Sequence, residues 1–215
     1  MKNIGLILLA GGTGARMRSP VPKQFMPLNG KLLLEYSLEM FSSLSCIKEI
    51  VLVIEINKYP FTHAKPGNRR QDSVWNGLQV MNKGMEWICI HDAARPFILA
   101  HDVEAVVKAA KEKGAAALGV PVQSTIKQCT SSGDVIRTLD RSDLWEIQTP
   151  QVVRRDLLEA GFLVAAQQDL SVTDDLSLAE LAGVVPKIVC GSRSNIKITT
   201  QEDLAFAEYY VKRGS

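Results

Sequence analysis

Short apolar runs at residues 4–10, 50–56, 87–90 and 115–122 are separated by stretches whose apolar residues recur at helical spacing, and this alternation is the feature that most restricts the fold. Unbroken apolar runs are strands covered on both faces, and strands separated by helices join in parallel through crossovers. The expected architecture is an α/β fold, a mostly parallel twisted sheet with helices on both faces. Residues 102–113 show the helical pattern, with Asp102 placed as an N-cap, Val103, Val106, Val107 and Ala110 on one face, and Gly114 just past the end. Leu34, Leu38 and Phe41 repeat the spacing earlier, and Leu157, Leu158 and Phe162 repeat it later. A length of 215 residues suits a single domain spanning 1–215.

One stretch breaks the alternation. Residues 123–143 are polar or mixed, and Ser131, Ser132, Gly133 and Asp134 stand like a hairpin turn between two β-prone arms. A projecting β-arm is expected there. An isolated two-stranded arm is marginal in water, so a second copy of the chain is the expected stabiliser, and a homodimer follows.

The formal net charge of +2 gives no reason to expect nucleic acid or a membrane surface as partner, so any cationic site must come from local clustering. Cys46, Cys89, Cys129 and Cys190 are widely spaced with no C-x-x-C pair, which suggests neither a zinc site nor a redox motif and fits reduced thiols in a cytoplasmic protein. The apolar run after Met1, Lys2 and Asn3 reads as a buried first strand rather than a signal peptide. No later run approaches the roughly 18 residues of a membrane-spanning helix.

The chemistry is expected directly after that first strand, in the string from Leu9 to Met17 that contains Ala10, Gly11, Gly12, Gly14 and Arg16. Glycines at the carboxyl end of a parallel strand let backbone N–H groups approach phosphate oxygens. Met17 occupies the place of the third glycine in a dinucleotide fingerprint, which argues against a nicotinamide-dependent oxidoreductase, and the Gly-Lys-Ser/Thr of a P-loop is missing. Pro20, Pro22 and Pro27 prevent a long helix from starting at the loop, so Arg16, Arg18 and Lys23 stay within it and can converge on one anion. Asp92 closes the run 87–90 at the same sheet edge, as a contact for magnesium or a substrate hydroxyl or as a structural cap of the next turn; Arg95 can reach the same ligand. His91 reads as a packed histidine rather than a base, and His63 and His101 read as surface positions or helix starts. Arg70 and Ser73 open a helical pattern, either toward a ligand or as an ordinary helix start with Asp72 or Ser73 as cap.

These strings, with Pro22-Lys23-Gln24-Phe25, Arg70-Gln-Asp-Ser-Val74, His91-Asp-Ala-Ala-Arg-Pro96, Asp140-Arg141 with Leu144-Trp145, Gln148-Thr-Pro-Gln151, Thr173-Asp-Asp175 and Asn195-Ile-Lys-Ile-Thr199, resemble the sugar nucleotidyltransferases. The closest likeness is to the 2-C-methyl-D-erythritol 4-phosphate cytidylyltransferase family of the non-mevalonate isoprenoid pathway. The resemblance implies a Rossmann-like fold of the nucleotide-diphospho-sugar transferase type, CTP as co-substrate, a magnesium ion and a homodimer joined through the arm. It implies that Arg16, Lys23 and Lys197 bind triphosphate and stabilise the reacting phosphorus, with Asp92 beside them as catalytic residue and metal contact. It assigns Ala10, Gly11, Gly12, Gly14, Gly67, Arg70 and Ser73 to the nucleotide, and Arg95, Thr125, Arg141, Thr149, Thr173 and Lys197 to the polyol phosphate, with Arg141 acting across the dimer. Pro66-Gly67 replaces the paired glycines common in relatives.

The proposed step suits this residue set. A phosphate monoester has a second pKa of about 6 and is already nucleophilic at neutral pH, so its oxygen can attack the α-phosphorus of CTP without a general base. Cations must then offset the charge of two polyanions. A sister enzyme acting on ribitol 5-phosphate is the first alternative; its usual His-Asp-Ser-Val-Arg-Pro differs from the Ala93-Ala94 found here. A non-catalytic nucleotide or sugar-phosphate binding domain is the second, and the retained Arg16, Lys23, Asp92 and Lys197 argue against it.

Overall fold

The computed structural model describes residues 3–12, 17, 21–56 and 58–213. In chain order the elements are β1 (Ile4–Leu9), a 3-10 turn (Lys23–Phe25), β2 (Pro27–Leu28), β3 (Lys31–Leu32), α1 (Leu33–Ser43), β4 (Ile47–Val53), β5 (Thr62–Ala64), α2 (Arg70–Val80), β6 (Trp87–Asp92) and α3 (Ala100–Lys113). They continue with β7 (Ala115–Pro121), β8 (Lys127–Cys129), β9 (Val135–Thr138), β10 (Trp145–Arg154), α4 (Arg155–Gln167), α5 (Asp175–Leu181), β11 (Lys187–Cys190) and α6 (Gln201–Lys212).

Seven strands form one sheet in the order β11-β7-β10-β6-β1-β4-β5. All neighbours pair in parallel except β10, which runs antiparallel to both β6 and β7. Side chains alternate across the sheet, and each face takes its own helices. Ile4, Leu6 and Leu8 of β1 join Trp87 and Cys89 of β6 against Leu34, Leu38 and Phe41 of α1 and Val103, Val106 and Ala110 of α3. On the opposite face, Ile7, Ile88 and Ile90 meet Val74 and Leu78 of α2, Leu158 and Phe162 of α4, and Leu176 of α5. A third cluster, of Met17, Leu28, Leu33, Phe97, Ile198 and Leu204, seats α6 beside the glycine loop.

Two local readings differ from expectation. The second strand starts at Ile47, which already pairs with Ile4, and ends at Val53; Lys48 and Glu49 hide its beginning because that end of the sheet is only partly covered. The third major helix starts at Ala100, so Asp102 lies buried inside the first turn instead of capping it. Gly114 does end that helix in the left-handed region, with φ 89°, and donates its N–H to the Ala110 carbonyl.

β8 and β9 form the separate two-stranded arm. Its turn is closed by Gly133 N–H on the Thr130 carbonyl and Thr130 N–H on the Asp134 carbonyl, with Gly133 at φ 92°. Every residue from 127 to 138 is exposed, including Val135 and Ile136 at 59% each.

Candidate active site

β1 and β6 lie side by side with Leu9 opposite Asp92; the chain leaves β1 for β4 and β5 on one side and returns through α2 to β6 on the other. The change of side between the β1–β4 connection and the later return through α2 to β6 opens a crevice at the strands' carboxyl ends, where ligands bind in open α/β sheets. The loops are tied back at its floor: Ala93 N–H donates to the Leu9 carbonyl and Ala10 N–H to the Val53 carbonyl. Above them lies a cleft of about 330 Å³ lined by Ala10, Gly11, Gly12, Lys23, residues 67–70, Ser73, Asp92 and Lys197. Gly11 is required by proximity, since a Cβ there would lie 2.1 Å from Pro66 Cγ. The Pro66-Gly67 pair thus closes directly on the glycine loop.

Two lysines reach this cleft from far apart in the chain. Lys23 sits on the 3-10 turn that Pro22 introduces, close enough that a Cβ on Gly12 would be 3.8 Å from its Cε; its Nζ is 3.4 Å from the Ile198 carbonyl. Lys197 lies in a segment fixed on both sides. Asn195 Nδ2 donates to the Thr149 carbonyl, Ile198 N–H to the Ala94 carbonyl, and Asp203 accepts from the N–H groups of Thr199 and Thr200. Lys197 Nζ is held 2.6 Å from Asp92 Oδ2.

Asp92 is the centre of the site's electrostatics. Burial alone would raise its pKa, but Arg70 and then Lys197 hold the carboxyl well below the usual carboxylate range. Arg70 Nε approaches Asp92 Oδ1 at 3.5 Å, while its two terminal nitrogens fork onto Asp175 at 3.0 and 2.8 Å. Burial opposes the charge on Arg70 too, and the two aspartates, Asp175 first, push its pKa up regardless. Arg95 donates to the Asn195 carbonyl, and burial lowers its pKa despite the opposing pull of Asp92.

His91 lies beneath the site against Phe41, with ring centroids 4.9 Å apart. Its Nε2 faces the Arg95 carbonyl at 3.2 Å, which can only accept, so Nε2 carries the proton. Nδ1 then accepts from Thr149 Oγ1 at 3.0 Å, and Thr149 Oγ1 in turn accepts from Asp92 N–H at 3.1 Å. Burial lowers the His91 pKa to about 4. The ring is neutral and fully engaged, as the packed reading expects.

A second hollow of about 260 Å³ adjoins the first and shares Arg70, Asp92 and Lys197 with it. Its other walls include Arg95, Gln148, Thr149, Gln151 and Thr173. β10 brings three of these in because its pairing with β7 shifts register between Ile147 and Gln151, taking Gln148 and Thr149 out of the regular ladder.

The structure therefore gathers Ala10, Gly11, Gly12, Lys23, Gly67, Arg70, Ser73, Asp92 and Lys197 around one cleft, and Arg95, Thr149 and Thr173 around the neighbouring hollow. Gly14, Arg16 and Arg18 lie outside the described residues. Thr125 and Arg141 line neither hollow; they stand exposed at the base of the arm, where Arg141 Nη1 donates to the Gln123 carbonyl. At the start of α2 it is Asp72, not Ser73, whose carboxylate receives the Arg69 N–H, while Ser73 Oγ accepts from Gly67 N–H. The Arg70 guanidinium is committed to aspartates rather than to an open nucleotide face, and the thread of hydrogen bonds from Gln151 through Asp175 to Arg70 is a contact that the residues alone did not announce. Its only trace was the strings Gln148-Thr-Pro-Gln151 and Thr173-Asp-Asp175.

Residues 4–213 match the family model described as 2-C-methyl-D-erythritol 4-phosphate cytidylyltransferase. The chloroplastic protein of that name from Oryza sativa subsp. japonica is 44% identical over 96% of this chain and 74% of its own length. The Chlamydia muridarum protein of that name is 43% identical over 94% of this chain and 93% of its own. Among solved structures, 4-diphosphocytidyl-2C-methyl-D-erythritol synthase from Anaerococcus prevotii superposes with a TM-score of 0.86 at 30% identity, covering 99% of both chains. The Francisella tularensis cytidylyltransferase gives 0.84 at 32% identity, covering 97% of this chain and 99% of that one. With a cleft lined by glycines and two lysines at the sheet's edge, a mixed seven-stranded sheet and a match over nearly its whole length, this chain belongs to the 2-C-methyl-D-erythritol 4-phosphate cytidylyltransferase family.

Proposed function

We propose that this chain transfers the cytidylyl group of CTP to 2-C-methyl-D-erythritol 4-phosphate, giving 4-diphosphocytidyl-2-C-methyl-D-erythritol and pyrophosphate in isoprenoid precursor biosynthesis. The observation that carries the assignment to residues is one cleft walled by Gly11, Gly12, Lys23 and Lys197, opening onto a hollow that shares Lys197. CTP occupies the cleft, with the glycine loop and Lys23 on its phosphates, and the polyol phosphate occupies the hollow beside Arg95, Thr149 and Thr173. Lys197 stands between them, where negative charge builds on the α-phosphoryl group. An oxygen of the polyol phosphate attacks the α-phosphorus, the new P–O bond forms as the bond to pyrophosphate breaks, and no side chain need accept a proton. The neutral, fully engaged His91 agrees with chemistry that has no histidine base. Arg16 is assigned to the departing pyrophosphate from the family resemblance.

Among the described residues no three His, Cys, Asp or Glu side chains are grouped so as to hold a metal ion, and Asp92 is already paired with Arg70 and Lys197. This set fits a magnesium ion carried chiefly by the nucleotide's phosphates, and Asp92 is the residue that would hold it; bound there, it would offset phosphate charge. The working unit is a homodimer. The exposed Val135 and Ile136 supply the apolar surface for it, and Arg141, which lines neither hollow of its own chain, would serve the partner's polyol phosphate.

The test offers CTP and magnesium with methylerythritol phosphate or ribitol phosphate in separate reactions and identifies the product by mass spectrometry. A cytidine diphosphate product from methylerythritol phosphate is expected. A product from ribitol phosphate alone would move the chain to the sister activity, and no turnover with either would leave a binding domain.

A further inference from the structure

Among the described residues of the site, half-buried Arg70 and buried Asp175 form a charge pair that the transfer step does not use. Asp175 is 1% exposed and lies behind the wall shared by the two hollows, out of reach of a ligand in either. It is nevertheless built in with care. Gln151 Oε1 accepts from the N–H groups of Asp175 and Leu176 at 2.7 and 3.2 Å, and Gln71 ties the preceding segment down by accepting from Val172 N–H at 2.7 Å and donating to the Leu170 carbonyl at 3.2 Å. Two glutamines from two different elements thus fix the backbone that presents one carboxylate.

That carboxylate orients a guanidinium. Both oxygens of Asp175 are occupied by the fork of Arg70, a planar bidentate contact that leaves Arg70 little rotational freedom and turns its Nε edge to Asp92. Asp92 in turn holds Lys197 Nζ at 2.6 Å. The charges alternate along the row from Asp175 to Arg70 to Asp92 to Lys197, so each ion is aimed by the next.

We propose that Asp175 is a positioning residue for the cytidylyl transfer: acting through Arg70 and Asp92, it sets the place of Lys197 between the two substrates. This rests on the function proposed above. Without the Asp175 charge, Arg70 has Asp92 as its remaining anion and draws it away from Lys197, and the lysine loses its aim toward the α-phosphorus. Displacement of a catalytic group by about 1 Å can cost on the order of a hundredfold in rate, whereas CTP, which is also held by the glycine loop and Lys23, should bind nearly as before.

The experiment compares wild type, Asp175→Asn, Arg70→Met and the double variant by kcat, by KM for each substrate and by thermal unfolding. Asp175→Asn keeps the side chain's shape and does not disturb the backbone N–H groups that Gln151 receives. It is expected to lower kcat by about tenfold or more with KM for CTP changed by less than about threefold, and to cost less than about twofold when added to Arg70→Met, because its effect passes through the arginine. A kcat within about twofold of wild type in Asp175→Asn, or losses that multiply in the double variant, would overturn the proposal. If Asp175→Asn alone does not fold, the double variant, which leaves neither ion of the pair without its partner, is compared with wild type: a kcat within about twofold of wild type overturns the proposal, and a loss of about tenfold or more with KM for CTP little changed supports it. Wild-type turnover in the same assay separates the two readings: its absence refutes the function itself, while its presence with indifferent variants refutes only the positioning role.

Discussion

Lys23 and Lys197 illustrate what a single residue can be asked to do in this site. Each lines the cleft from a segment held by backbone hydrogen bonds, so each can be truncated with little damage to the core. Lys23→Ala and Lys197→Ala are expected to lower kcat by about a hundredfold or more while the unfolding temperature stays close to wild type; equal losses of activity and stability would count against both assignments. His91 makes the opposite prediction. Its pKa is lowered from 6.5 to about 4 by burial, so between those values the unfolded chain binds a proton that the folded chain refuses. Stability contributed by the neutral ring is present above pH 6.5 and is lost as the pH falls toward about 4, by roughly 3 kcal/mol in all. Urea midpoints measured across that window should fall less steeply for His91→Gln than for wild type, and identical slopes would refute the assignment. At this scale the sequence was informative wherever residue type and motif position coincide, as for Lys23, Asp92 and Lys197. It was silent on what Asp92 and Arg70 hold, because ion-pair partners 105 residues apart leave no local periodicity.

Among the elements, α2 carries a clear division of labour between its ends. Its first turn meets the cleft through Arg70 and Ser73. Its last turn is closed by Arg155 from the start of α4, whose guanidinium donates to the carbonyls of Leu78 at 3.0 Å and Asn82 at 2.7 Å and pairs with Glu159 at 3.0 Å. A cation at a helix C-terminus satisfies carbonyls that have no partner within the helix and opposes the negative end of its dipole. Arg155→Met should therefore cost about 3 kcal/mol in urea denaturation, by leaving the carbonyls at the end of α2 without their donor, with kcat near wild type. A parallel loss of kcat would show that the far end of α2 communicates with the site. The strands and helices were foreseen where apolar spacing is unbroken. They were displaced where a polar residue serves the interior: Asp102 looks like a cap in sequence but is covered by packing inside the first turn of α3.

For the whole molecule, the arm is where the proposed dimer is tested. Val135 and Ile136 are 59% exposed on a two-stranded element that has no core of its own, so Ile136→Asp should shift sedimentation from dimer to monomer with the main unfolding transition preserved. In a turnover assay Arg141→Ala should raise KM for the polyol phosphate while leaving KM for CTP nearly unchanged; an Ile136→Asp protein that sediments as wild type, together with an Arg141→Ala protein with both constants at wild-type values, would refute the arm's role. Alternating apolar runs, the glycine-rich turn and its prolines are local features, so the α/β class, the arm and the place of Gly11 and Gly12 at the end of β1 could be read from neighbouring residues alone. The reversed direction of β10, the placing of Thr149 under Asp92 and the row of charges from Asp175 to Lys197 required the tertiary structure. They depend on which distant strand ends the sheet brings together, and hydrogen bonds and ion pairs form over a few ångströms of space whatever the distance along the chain.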